Sequence, residues 1–171
     1  YYTRGIFPWG NECYLRSDMY HQYAPFFSEL WHKIRNGESL TYSWNIGMGT
    51  NFTSLFAYYL ASPSNWFVAL FPQKYTIEIM NAFIILKIAG SSLSLTYYLT
   101  KHNNNKHVIA AIFGMFYGMS GFIAAYSWNI MWLDCVILVP LIMLGLERLV
   151  NENRCIFYCI TLGLCIFTNY Y

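Results

Sequence analysis

Residues 108 to 126 read Val-Ile-Ala-Ala-Ile-Phe-Gly-Met-Phe-Tyr-Gly-Met-Ser-Gly-Phe-Ile-Ala-Ala-Tyr, without a single charge. A bilayer core needs roughly 20 such residues as one helix, because only a helix satisfies its own backbone in hydrocarbon. Working outward, Ile77 to Leu99 is apolar apart from Glu78 near its start and Lys87 within. Leu133 to Leu146 extends toward Val150, and a last apolar run begins at Cys155 and reaches Tyr171. The reading is an all-α, polytopic membrane bundle with about four spans near 77–99, 108–126, 132–150 and 155–171.

Composition agrees. The 171 residues are 57% hydrophobic, 20% aromatic and 11% charged, with a mean hydropathy of +0.33. Ordinary soluble domains are roughly 25% charged, so this chain lacks the polar coat of one. Its net charge of +2 is scattered and makes no basic stripe, which argues against a nucleic-acid partner. Four of the five cysteines (Cys135, Cys155, Cys159, Cys165, but not Cys13) lie in apolar runs, where a thiol packs as a small hydrophobe. The chain opens at Tyr1 without a methionine or signal-like segment and ends inside an apolar run, so it reads as a piece truncated at both ends.

The connectors are short, which makes neighbouring spans antiparallel. Lys101 and Lys106 mark the first connector, Arg148 and Arg154 flank the third, and Ser127 to Trp132 carries no basic residue. Positive charge favours the cytoplasm, so the first and third connectors face inward, and residues 1–75 are an extracytoplasmic segment ahead of the 76–171 bundle.

Within residues 1–75, Gly5, Pro8 and Gly10 break up the start. From Pro25 to Asn36, Phe26, Phe27, Leu30, Trp31 and Ile34 make one helical face, and Ser28, Glu29, His32, Lys33 and Arg35 the other. That pattern suits a short amphipathic helix in the membrane interface or a surface helix packed on its own domain. Residues 37–51 read as a loop in which Gly47 and Gly49 signal turn chemistry more than phosphate binding. Phe52 to Phe71 is uncharged but interrupted by Ser62-Pro63-Ser64-Asn65, which predicts two short interfacial or re-entrant pieces.

Leu15 to Pro25 (Leu-Arg-Ser-Asp-Met-Tyr-His-Gln-Tyr-Ala-Pro) is a polar knot in this greasy chain. Asp18 reads equally as a helix N-cap and as a functional acid. Asp134, at the end of a span, is costly to bury and invites a role. Were the two to meet, they would form a paired site able to bind a divalent metal. Lys87 calls for a partner in the bundle or an anionic headgroup, and Arg16 for a solvated position or a phosphate.

Four segments together carry a resemblance: Leu-Arg-Ser-Asp-Met-Tyr-His-Gln-Tyr-Ala-Pro-Phe-Phe from Leu15, Tyr-Ser-Trp-Asn-Ile-Gly-Met-Gly-Thr-Asn from Tyr42, Tyr-Tyr-Leu-Ala-Ser-Pro-Ser-Asn-Trp from Tyr58, and Trp-Leu-Asp-Cys-Val-Ile-Leu-Val-Pro-Leu from Trp132. Over essentially its whole length the chain resembles the YfhO family of bacterial membrane proteins. The resemblance implies a GT-C-like glycosyltransferase that moves a sugar from a polyprenyl-phosphate donor to a cell-envelope glycopolymer such as lipoteichoic acid. It matches Asp18 to a catalytic aspartate of the first extracytoplasmic loop, and Asp134 to a tryptophan-leucine-aspartate motif. Arg16, His21, Gln22, Tyr23, Lys87 and Asp134 are the candidate substrate-binding residues, with Arg16 and Lys87 the candidates to steady a departing lipid phosphate. A transporter or flippase of a lipid-linked intermediate, or a non-catalytic assembly protein, is the alternative from another class. The family has a first spanning helix ahead of this loop and further helices after it, so these residues alone are expected to be inactive.

Overall fold

The structure, a computed structural model, describes residues 2–13, 17–103 and 107–169. Arg16, and Lys106 of the first connector, lie outside them.

Seven α-helices are described: α1 (Ala24–Asn36), α2 (Phe52–Leu55), α3 (Thr76–His102), α4 (His107–Gly118), α5 (Gly121–Tyr126), α6 (Ile130–Glu152) and α7 (Ile156–Thr168). Three stretches are long and apolar enough to cross a membrane: Gln73–His102, His107–Tyr126 and Ile130–Glu152. Within the expected fourth run, the described helix α7 has 13 residues, about 20 Å at 1.5 Å each. The all-α expectation also needs a small correction: β1 (Tyr42–Ser43) pairs antiparallel with β2 (Thr50–Asn51), Tyr42 opposite Asn51. Gly47 and Gly49, with φ of 61° and 100°, make its turn, the role their spacing suggested.

α3 packs along α4 and α6, and α6 along α7. Small residues allow the first contact: Gly114 sits against Ser92 and Thr96 of α3, and Gly118 against Ser92 and Ile88, with no room for a Cβ at either. In lipid, where apolar surfaces gain little by leaving the solvent, this close approach is a main source of helix association. The uncharged run 108–126 is broken at Met119 and Ser120, where the Ser120 hydroxyl accepts from the Ile123 N–H at 3.5 Å and starts α5.

Residues 17–75 fold onto the end of the bundle where α3 and α6 begin. A π-helical turn, Met19–Tyr23, leads into α1, which buries Phe27 and Leu30 against the 3₁₀ segment Pro63–Leu70 and α3. The polar face of α1 is not the solvated face its spacing suggested. Glu29 and Lys33 are 6% and 3% exposed, because the β1–β2 hairpin folds back over them. Ser43 Oγ and Asn45 Nδ2 donate to the Glu29 carboxylate at 2.6 and 3.0 Å, and Lys33 Nζ donates to the carbonyls of Ser39 and Tyr42 at 3.0 and 2.8 Å. Burial opposes the Glu29 charge, but those donors and Lys33 outweigh it and hold its carboxyl below the ordinary value.

The run Phe52–Phe71 divides at Ser62. α2 is capped by the Asn51 side chain, which accepts from Thr53 N–H at 3.0 Å, and continues through a π-helical turn, Phe56–Leu60. Pro63 cannot continue that helix, and the chain restarts as the 3₁₀ segment. The buried Asn65 amide donates to the Leu60 carbonyl at 3.2 Å and satisfies the backbone at the break.

A second proline interruption lies inside a span. Pro140 of α6 has no N–H for the carbonyl of Val136, four residues earlier. Tyr117 of α4 supplies the missing donor, its hydroxyl 2.9 Å from Val136 O. Tyr117→Phe should therefore cost the full-length protein about 1–2 kcal/mol of stability, the price of an orphaned carbonyl at membrane depth. In a double-mutant cycle read by reversible unfolding, Pro140→Ala restores the helix N–H and should abolish most of that loss. Strictly additive costs would show that the tyrosine does not serve the proline gap.

Candidate functional site

The candidate site is built on the turn before α1. Ser17 has a left-handed φ of 51°, a strained conformation for a residue with a side chain, and it turns the chain into Asp18. Asp18 occupies the N-cap position of the Met19–Tyr23 turn, yet its side chain makes no capping hydrogen bond. The capping role that its position allowed is not taken up.

The wide turn puts Met19 and Tyr23 on the buried side and Tyr20 and His21 in the open, His21 edge-on to Tyr20 at 5.1 Å between ring centroids. Gln22 is half-buried. Tyr23 is 1% exposed and its hydroxyl donates to the side-chain oxygen of Asn129, the residue before α6. So Tyr23 ties the turn to the bundle across 106 positions of sequence.

Aromatic rings surround this tie. Tyr59 lies edge-on to Tyr23 at 5.6 Å, and both Phe26 and Tyr58 pack on Tyr59, at 5.1 and 4.5 Å. Burial pushes the Tyr23 phenol well above its ordinary pKa, and Tyr59 adds to it; a hydrogen bond with the Met131 backbone opposes them, and Asp18 raises it further by a smaller amount. The Tyr59 phenol is also raised, by burial, then Tyr58, then Asp18. Both tyrosines therefore stay neutral in the field of the Asp18 carboxylate, and neither competes with it as a base.

Asp134 and Lys87 meet one another. Lys87 Nζ donates to Asp134 Oδ2 at 2.6 Å, with the side chains 5% and 13% exposed, and it also reaches Ile130 O at 3.4 Å and Ser62 Oγ at 3.5 Å. The ammonium is thus satisfied inside the protein, and the Asp134 carboxylate already holds a cation. Among the described residues no three His, Cys, Asp or Glu side chains cluster as a metal site.

Asn129, Tyr59 and Ser62 were not singled out from the sequence. Tyr59 reads there as part of an apolar run and Asn129 as a loop residue between tryptophans; only the long-range fold gives them partners.

The family described as bacterial membrane protein YfhO matches residues 1–171. The chain belongs to the YfhO family. No curated protein and no solved structure matches it. Membership of this family and the three apolar helices make it a membrane protein, and the site lies at the end of a YfhO bundle where α3 and α6 begin.

Tyr23→Phe leaves the buried Asn129 amide without its phenol, a loss of about 1–3 kcal/mol. Hydrogen exchange on the full-length protein should then show the Met19–Tyr23 amides exchanging about tenfold faster or more. Unchanged exchange there would mean that the tie does not hold the turn.

Proposed function

We propose that the full-length protein is a membrane glycosyltransferase of GT-C type, with Asp18 as general base. The donor is a sugar on polyprenyl phosphate, and the acceptor is a hydroxyl of a cell-envelope glycopolymer such as lipoteichoic acid. Residues 1–75 face the extracytoplasmic side of a bacterial cell membrane in this reading.

The observation that carries it is the state of Asp18: a half-buried carboxylate, uncapped, beside two phenols that stay neutral, at the membrane end of the bundle. The acceptor hydroxyl gives its proton to Asp18 as its oxygen attacks the anomeric carbon. The bond from that carbon to the phosphate oxygen breaks, and its electron pair leaves with the lipid phosphate. A polyprenyl chain stays in lipid with its phosphate at headgroup level, which is the depth at which a site beside the start of α6 would work. His21 contacts substrate from the open side of the turn, with the half-buried Gln22 next to it. Lys87 and Asp134 act at one remove, by fixing the start of α6 and so Asn129. A divalent metal at Asp134 would have to displace the Lys87 ammonium.

Positioned general bases contribute about 10²–10⁴-fold. Asp18→Asn in the full-length protein, at normal membrane abundance, should cut sugar decoration of the envelope by about that factor. Full decoration by this variant would contradict the proposal.

A further inference from the structure

A cavity of about 310 Å³ lies where α3, α5 and the N-terminal residues meet, and Arg4 stands at it. Apart from Arg4 and Ser127, its lining is apolar: Ile6, Ile88, Met119, Ile123 and Ala124. It is at the small end of ligand cavities, which run from about 300 to 1,000 Å³. Two lining residues neighbour site residues in sequence: Ile88 follows Lys87, and Ser127 lies two residues before Asn129. Another wall is surface: Met119 is 80% exposed, and Phe116 and Phe122 continue it as an apolar face of a bundle that spans a membrane.

Arg4 is exposed and makes no ion pair with any described residue. A free guanidinium at the mouth of an apolar, lipid-side cavity is complementary to one kind of molecule, a phosphate on an apolar chain. The guanidinium fork matches two phosphate oxygens, and the apolar lining takes the first carbons of the chain. Lys87, next to Ile88 in sequence, is held by Asp134.

We infer that this cavity binds the phosphate end of the polyprenyl lipid, Arg4 on the phosphate and Ile88, Met119 and Ile123 on the first isoprene units, while the rest of the chain lies in the bilayer. The identity of the lipid rests on the glycosyltransfer reading; the site itself rests on the cavity and Arg4.

The test uses the full-length protein in phosphatidylcholine nanodiscs, titrated with a long-chain polyprenyl phosphate and with the matching polyprenol. Arg4→Gln, and Ala124→Trp to fill the cavity, are the variants, with Asp18→Asn as the control. Polyprenyl phosphate should bind the wild type at least about tenfold more tightly than polyprenol, and Arg4→Gln should lose about that factor, as expected of one charge-assisted contact. Ala124→Trp should weaken both lipids, and Asp18→Asn should bind like the wild type even where transfer is lost, so that the two proposals can fail separately. Undiminished affinity in both Arg4→Gln and Ala124→Trp would overturn the inference. So would equal binding of phosphatidylglycerol, or a cross-link showing another segment of the full-length chain seated in the cavity.

Discussion

A lysine and an aspartate buried inside a membrane bundle are the constraint from which the rest follows. Either charge alone at the centre of a span would cost about 3 kcal/mol. Together, 2.6 Å apart, they satisfy one another, and Lys87 spends its remaining donors on the Ile130 carbonyl and the Ser62 hydroxyl. One ammonium therefore joins three pieces of chain: the middle of α3, the first turn of α6 and the break in the uncharged run. Asn129 sits at the head of that first turn, Tyr23 is bonded to Asn129, and Asp18 begins the turn that Tyr23 ends.

The same economy recurs wherever the backbone is interrupted. Asn65 serves the Leu60 carbonyl just before the break at Ser62–Pro63, and Tyr117 serves the Val136 carbonyl left by Pro140. Irregular backbone at membrane depth persists only where a neighbouring element supplies the missing partner. Here both partners are polar side chains, Asn65 in the interruption itself and Tyr117 in an uncharged run.

The spans were legible in the sequence because lipid imposes one rule, an uncharged helix long enough to cross. The run expected at 77–99 is the helix 76–102, and that at 132–150 is 130–152. Within the run expected from Cys155, the described helix is α7, Ile156–Thr168. Residues 1–75 were harder. The periodicity of α1 correctly marks Phe27 and Leu30 as buried, but it gives Glu29 and Lys33 to solvent, because no local pattern records a hairpin folding back over them. Asp18 stood out as an acid in a polar knot and through its family motif. Its setting did not: Tyr59 lies 41 positions away and the Tyr23 tie spans 106, and neither distance leaves a trace in spacing.

If the buried pair is what joins the bundle to the segment that carries Asp18, its two members should be dispensable together and not apart. Reversible unfolding of the full-length protein with Lys87→Met, Asp134→Leu and both substitutions decides the matter. Each single change should cost about 3–5 kcal/mol, by leaving one charge buried alone, and the double change should recover most of that loss. A double variant that loses the sum of the two, or single variants that lose nothing, would contradict it.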